Sequence, residues 1–385
     1  MARQNVGNPK FYIDLPSYWR AMGNISDVTH NGTDGNNAEK LIGLNPSDFF
    51  DEEVVVDYDS YWEFKIDLEN IMYTSSNNKY FLGFLGHDFE TAKLYTPQIN
   101  LWKNDGEELD FEFTDGTWDE ICNFSGFRTL FEYNGWSLGQ IDDLGGYGFD
   151  SFRVQLARET LDPMVDPIDY NEPVRNVLGS ITFGQVFEMP HSPDLKLTMT
   201  REFDGIQEQT TRGGSTLTQI NYTRPPKWIG YPAWGLLKDS VATHEDDGYP
   251  YVARQVNKGR KIWDLKFSYV GSDDLFPINE RQEIYNPTDS STNSLAGYDT
   301  DDFYASGGTS HEAGDFTGTS FKDTSFMGTL MDKTMGGALP FIFQPDGNNN
   351  SPDQFAICQL DQSSFKFKQV AHNVWDISLK IREVW

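Results

Sequence analysis

Apolar and polar residues alternate strictly along several stretches of this chain, the pattern of a strand with one buried and one solvated face. In 374–382 (VWDISLKIR), Trp375, Ile377, Leu379 and Ile381 share one face and Asp376, Ser378, Lys380 and Arg382 share the other. The same period runs through 262–269, where Trp263, Leu265, Phe267 and Tyr269 alternate with Asp264, Lys266 and Ser268, and through 62–68 with Trp62, Phe64, Ile66 and Leu68. Shorter cases are Leu109, Phe111 and Phe113; Phe152, Val154 and Leu156; Leu195, Leu197 and Met199; and Phe365 with Phe367. Strands are therefore expected along the whole length. Helical spacing is scarce. Segment 325–335 (SFMGTLMDKTM) sets Phe326 and Met327 four residues before Leu330 and Met331 and ends at Gly336–Gly337, and 16–23 carries Pro16 where a helix start tolerates it. Many strands beside one or two helices predict sandwiches or barrels with a helical flank, not an alternating α/β fold.

Composition sharpens this mainly-β reading. With 28 Phe, 18 Tyr and 10 Trp in 385 residues, the apolar content is held in large planar side chains that suit sheet surfaces. Acidic residues outnumber basic ones 59 to 30, and a net charge of -29 repels phosphate backbones, which argues against sequence-specific nucleic-acid binding. The first residues, MARQNVGNPKFYIDLP, have no apolar h-region and no stretch approaches a bilayer span, so neither a signal peptide nor a membrane segment is expected. Cys122 and Cys358 stand far apart and read as free buried thiols from a reducing cytoplasm. Two stretches, 26–40 and 286–324, are rich in Gly, Asn, Asp, Ser and Thr and read as long loops of the kind that order on assembly, while 223–236 (TRPPKWIGYPAWGL) reads as an extended aromatic cap on a core edge.

Catalytic motifs are missing where they would be sought. His244 and His311 are each followed by Glu but lack the second His of a zinc helix; Gly146-Tyr147-Gly148 lacks the third glycine of a dinucleotide loop; and Gly213-Gly214-Ser215-Thr216-Leu217 breaks the nucleophile-elbow pattern. Carboxylates are too abundant for any one pair to stand out as glycosidase machinery. Asp27-Val28-Thr29-His30-Asn31-Gly32 resembles the opening of a calcium loop but has Ala38 where a bidentate Glu is needed, so a plain turn is the simpler reading. No catalytic residue, cofactor or metal ligand is therefore assigned, and no enzymatic activity is expected.

Two blocks resemble tail proteins of tailed bacteriophages: 254–277 (RQVNKGRKIWDLKFSYVGSDDLFP) and 325–385, which ends in the strand VWDISLKIREVW with its Arg382-Glu383-Val384. The resemblance is to the distal-tail/tail-tube fold, a β-sandwich or barrel with a flanking helix that forms rings around the DNA channel. Block 80–92 (YFLGFLGHDFETA) resembles the Leu-Gly-His-Asn segment of galactose-binding-like sandwich modules, with Asp88 in place of the Asn, and 178–214 resembles the exit from such a module. The implied layout is a tail-fold domain from 1–45 and 180–385, holding the long loop 286–324, and an inserted jelly-roll or galactose-binding-like sandwich at 46–179. The implied role is a structural virion protein, a distal-tail or baseplate-hub ring joining tail tube to tail tip and assembled in the host cytoplasm. Its partners would be copies of itself, other tail proteins and, through the sandwich, host surface glycans. The alternatives are a tail-tube or tail-completion protein with a decorating domain, a carbohydrate-binding adhesion module, or a glycan-degrading enzyme. If glycans bind, His87, Trp102, Trp118 and Trp136 are the candidate contacts; core packing is the competing role for each.

Overall fold

A computed structural model describes residues 6–30, 33–34, 38–45, 50, 54–56, 61–73, 78–85, 95–102, 108–112, 118–120, 124–125, 128–129, 136–141, 148–158, 174–176, 178–195, 197–203, 206–220, 259–277, 324–350 and 354–384. The chain is mainly β, and its strands pair antiparallel in two principal sheets. The larger has eleven strands in the order Thr198–Glu202, Arg260–Gly271, Val374–Glu383, Ala356–Leu360, Phe341–Gln344, Lys10–Asp14, Ser180–Glu188, Lys79–Leu85, Trp136–Ile141 and Trp118–Glu120, with Lys368–Ala371 pairing beside Val374–Glu383. The smaller has six, in the order Thr33–Asp34, Ile25–His30, Tyr61–Tyr73, Gly148–Arg158, Tyr95–Trp102 and Glu108–Glu112.

Part of the larger sheet packs face to face on the smaller one, which makes a β-sandwich. Trp62, Phe64, Ile66, Phe152 and Val154 from the smaller sheet meet Tyr80, Leu82, Phe84, Ile181 and Phe183 from the larger in one buried cluster. The helix Leu15–Met22 closes the end of this core with Leu15 and Trp19. Asp14 caps it by accepting a hydrogen bond from the Ser17 amide at 3.1 Å, and Gly23, at φ 67, ends it in a left-handed turn. A second cluster on the other half of the larger sheet joins Trp263, Leu265, Phe267, Phe343, Ile377 and Leu379 to the wide-turned π-helix Phe326–Met331. A third lies on the opposite face of the central strands, with Tyr12, Phe81, Val186, Ile342 and Ile357.

The strand Lys10–Asp14 is the seam. It pairs on one side with Ser180–Glu188 and on the other with Phe341–Gln344, and Phe11 and Ile13 enter the second core just before Leu15 and Trp19 enter the first. Gly184 sits against this strand so tightly that an added Cβ would lie 1.7 Å from the Ile13 carbonyl oxygen. The two ends of segment 46–179 also meet: the Ser180 hydroxyl donates to the Leu41 and Gly43 carbonyls at 3.1 and 2.7 Å, and the Phe50 amide donates to the Gly179 carbonyl. Inside that segment, Lys79–Leu85 and Trp136–Ile141 continue the same hydrogen-bonded sheet that holds Lys10–Asp14.

The alternating segments form strands, with three informative departures. The register slips by a bulge between Phe267 and Val270, so Tyr269, expected on the buried face, adopts φ 64 and is 74% exposed while Val270 takes the interior position. Phe365 and Phe367 lie in an irregular stretch before Lys368–Ala371 and pack on the second core without a ladder. Leu195, Leu197 and Met199 lead into an edge strand and stand exposed. Cys358 is free and buried, and burial pushes its thiol well above the ordinary range, which makes it inert at neutral pH. Cys122, Phe113, the segment 223–236 and the long loop 286–323 lie outside the described residues.

Candidate functional site

Two surfaces stand out from the packed interior. The first is the outer edge of the larger sheet. Thr198–Glu202 is its last strand, and among the described residues nothing pairs with its far side. Leu195 is 93% exposed, and Leu197, Met199 and Phe203 are about half exposed. The Asp194 amide donates to the Lys266 carbonyl at 2.7 Å, which lays this stretch along the strand that carries exposed Tyr269. The hairpin of Ile206–Thr210 and Thr216–Ile220 follows directly and exposes Leu217. Charges along this edge are matched in place: Arg382 pairs with Glu202 at 2.5 Å, Lys266 lies 3.7 Å from Asp194 and 3.6 Å from Asp376, and buried Glu383 accepts from the Lys261 amide at 2.8 Å. Burial pushes the Glu383 carboxyl above its ordinary range.

The second surface is the outer face of the smaller sheet. Because strand side chains alternate, Ser151, Arg153 and Gln155 face away from the core that takes Phe152 and Val154, as do Glu63, Lys65 and Asp67 beside Phe64 and Ile66. Arg153 and Gln155 both donate to Glu63, at 3.2 and 3.1 Å, and Lys65 donates to Asp67 at 2.9 Å. Ser151 and Gln155 are only 6% and 7% exposed, and the Ser151 hydroxyl has no hydrogen-bond partner among the described residues. Trp102, Asn100 and Gln98 stand opposite Ser151, Arg153 and Gln155, and Glu108, Asp110 and Glu112 stand opposite those three in turn.

Of the residues expected to contact glycans, Trp102 closes the strand Tyr95–Trp102 of the smaller sheet, whereas Trp118 and Trp136 begin neighbouring strands of the larger one. Trp118 pairs with Ile141, five residues along the strand from Trp136, so those two backbones are separated by about 17 Å at about 3.3 Å per residue. The backbones of the three tryptophans thus lie on strands of two sheets. His87 lies outside the described residues.

Neither surface was legible as a site. Leu195, Leu197 and Met199 carry the alternation of a half-buried strand; what exposes them is the end of the sheet, a property of topology. For the polar face a faint signal did exist, since the outward positions of 151–155 are Ser, Arg and Gln where a purely solvated face draws on Lys and Glu. Among the described residues no group of three or more His, Cys, Asp or Glu side chains is placed to hold a metal ion, and no helix is long and apolar enough to cross a membrane.

No protein-family model matches the chain, and no curated protein matches it. Among solved structures it is similar to CpGH89CBM32-6 produced by Clostridium perfringens, at 9% identity and a TM-score of 0.24, over 42% of this chain and 94% of that one. It is similar as well to CBM32-1 from a family 31 glycoside hydrolase of Clostridium perfringens, at 12% identity and a TM-score of 0.23, over 41% and 95%. A DUF4466 family protein from Parabacteroides merdae matches at 9% identity and a TM-score of 0.14, over 94% and 100%. At TM-scores this low, the antiparallel β-sandwich rests on the chain's own sheets and core.

Proposed function

We propose that this chain is a structural, non-enzymatic component of a phage tail, a self-associating ring protein of the distal-tail or baseplate-hub type that joins tail tube to tail tip. It is assembled in the host cytoplasm and carried in the virion, with the galactose-binding-like sandwich that 46–179 forms together with Ile25–His30 and Ser180–Glu188 displayed outward. The observation that carries this reading is the edge strand Thr198–Glu202, unpaired on its far side among the described residues, with its run of exposed Leu195, Leu197, Met199 and Phe203. An open edge bordered by large apolar side chains is a liability for a lone molecule and an advantage for one that meets copies of itself. Charge supports the same partner. Segment 46–179 holds 28 acidic and 8 basic residues, a net of -20 out of -29, so copies approach with least repulsion through the ion-paired edge and with those segments held apart.

The test is copy number and its dependence on the edge. Native mass spectrometry of purified protein and of tails should find several copies per assembly, and Leu197→Glu with Met199→Glu should shift the free protein to monomer while its far-ultraviolet circular dichroism is unchanged. A single copy per tail, or an oligomer indifferent to both substitutions, would sink the reading.

A further inference from the structure

We propose that the edge strand Thr198–Glu202 pairs antiparallel with the same strand of a second copy, about a two-fold axis at Thr200, so that the larger sheet runs on from one molecule into the next. The inference rests on the reading of this edge as the place where copies meet, and it names the register and symmetry of that meeting. Its first support is an edge fit for pairing. The strand matches Arg260–Asp264 rung for rung without a bulge, contains no proline, and exposes Thr198, Met199, Thr200 and Arg201, whereas sheets that avoid edge contacts blunt them with prolines and bulges. Its second is chemical self-complementarity. Antiparallel pairing about a two-fold axis sets residues equally distant from the axis opposite each other, with their side chains on the same face. Leu197 then meets its partner's Phe203, Met199 meets Arg201, Thr198 meets Glu202, and Thr200 meets Thr200. The half-exposed Leu197 and Phe203 gain apolar neighbours, the aliphatic stem of Arg201 covers Met199, and no charge opposes its like.

Neighbouring registers are poorer. An axis at Arg201 sets two guanidiniums face to face, and an axis at Met199 brings only Thr198, Met199 and Thr200 of each strand into register, three rungs in place of five. At Thr200 the apolar face also stays continuous. Met199 stands opposite Trp263, a residue of the second core, so that core's side of the sheet extends through Met199 onto the partner's Arg201. The acidic parts of the two copies lie on opposite sides of the axis, because Ser180–Glu188, which carries Phe183 into the sandwich core, is the sixth strand beyond this edge, roughly 29 Å away at about 4.8 Å per strand. A contact of this kind closes at two copies. A ring that contains it is therefore built from pairs through a second, different contact, and holds an even number of copies.

The experiment places single cysteines in the full-length protein, Thr200→Cys, Met199→Cys and Arg201→Cys, and follows disulfide dimers under mild oxidation on non-reducing gels. Wild type, with its own Cys122 and Cys358, gives the rate to subtract. Opposed residues of an antiparallel pair have Cα atoms about 4.5 or 5.5 Å apart, within disulfide reach, while identical residues two rungs apart are about 8 Å from each other, beyond it. Thr200→Cys should therefore trap a dimer at least tenfold faster than Met199→Cys or Arg201→Cys alone. Mixing the latter two should restore fast crosslinking between them. Native mass spectrometry of the wild type should find assemblies of even copy number. Assemblies of odd copy number, or assembly without preferential crosslinking of Thr200→Cys, would overturn the two-fold pairing while leaving self-association through this edge in place. A protein that stays monomeric at all concentrations would overturn both.

Discussion

A carboxylate sealed away from water is favoured in its protonated form, and Asp14 is sealed completely. Burial raises it from the ordinary 3.8 to about 6, although hydrogen bonds from the Ser17 hydroxyl and amide and, at 2.7 Å, from the Thr182 hydroxyl favour the ionised form. Between those two values the folded chain keeps a proton that the unfolded chain has released. Stability contributed here is therefore full below about pH 4 and is lost as pH rises toward 6, by on the order of 2–3 kcal/mol once the group is ionised. Asp14→Asn keeps a carbonyl oxygen for the Ser17 amide and does not titrate. The difference in unfolding free energy between wild type and this variant should drift in favour of the variant by roughly that amount from pH 4 to pH 7, as read by urea titration at each pH; a flat difference would refute the assignment.

At the level of elements, alternation exposed the strands that have one wet face and was silent on those that have none. Lys10–Asp14, Lys79–Leu85 and Ser180–Glu188 run through the middle of the larger sheet, where Tyr12, Phe81 and Val186 enter the third cluster while Phe11, Leu82 and Phe183 enter the others. Buried on both sides, they show no sustained period: YFLGFL and FYI read as apolar runs, and SITFGQVFE loses its alternation at Gly184-Gln185. The bulge that turns Tyr269 outward left no mark either, because IWDLKFSY alternates cleanly through it. As for the candidate surfaces, Trp102 was picked out as an aromatic, but its polar rung neighbours Ser151 and Glu108 come from positions 49 and 6 residues distant and meet it only through pairing. The seam gives a direct test of element packing. In Gly184→Ala the new methyl meets backbone, which cannot rotate away, so Lys10–Asp14 must separate from Ser180–Glu188. A loss of more than about 3 kcal/mol in stability is expected, at or above the upper range of overpacked cores; a loss under about 1 kcal/mol would mean the seam is looser than its geometry.

For the whole molecule, the partition of charge predicts how assembly responds to salt. Segments of net charge -20 repel at low ionic strength and are screened once the Debye length falls to about 8 Å near 0.15 M salt. Sedimentation should therefore show association strengthening between about 20 and 500 mM sodium chloride, whereas an interface held mainly by ion pairs would weaken over the same range. The seam strand carries a further consequence, for the order in which the molecule can be made. Asp14 pairs with Gly184 and Lys10 with Gln344, separations of 170 and 334 residues. Partners so remote in sequence fold slowly, since the loop between them must close before any contact rewards it. A ribosome delivers the apolar segment FYIDL long before its neighbour FIFQ. While the residues between them are made, one side of that strand waits uncovered, which makes its early shielding a task for chaperones. A chain that terminates before residue 341 can never complete the larger sheet, so the proofreading of prematurely ended copies is built into the pairing of the first strand.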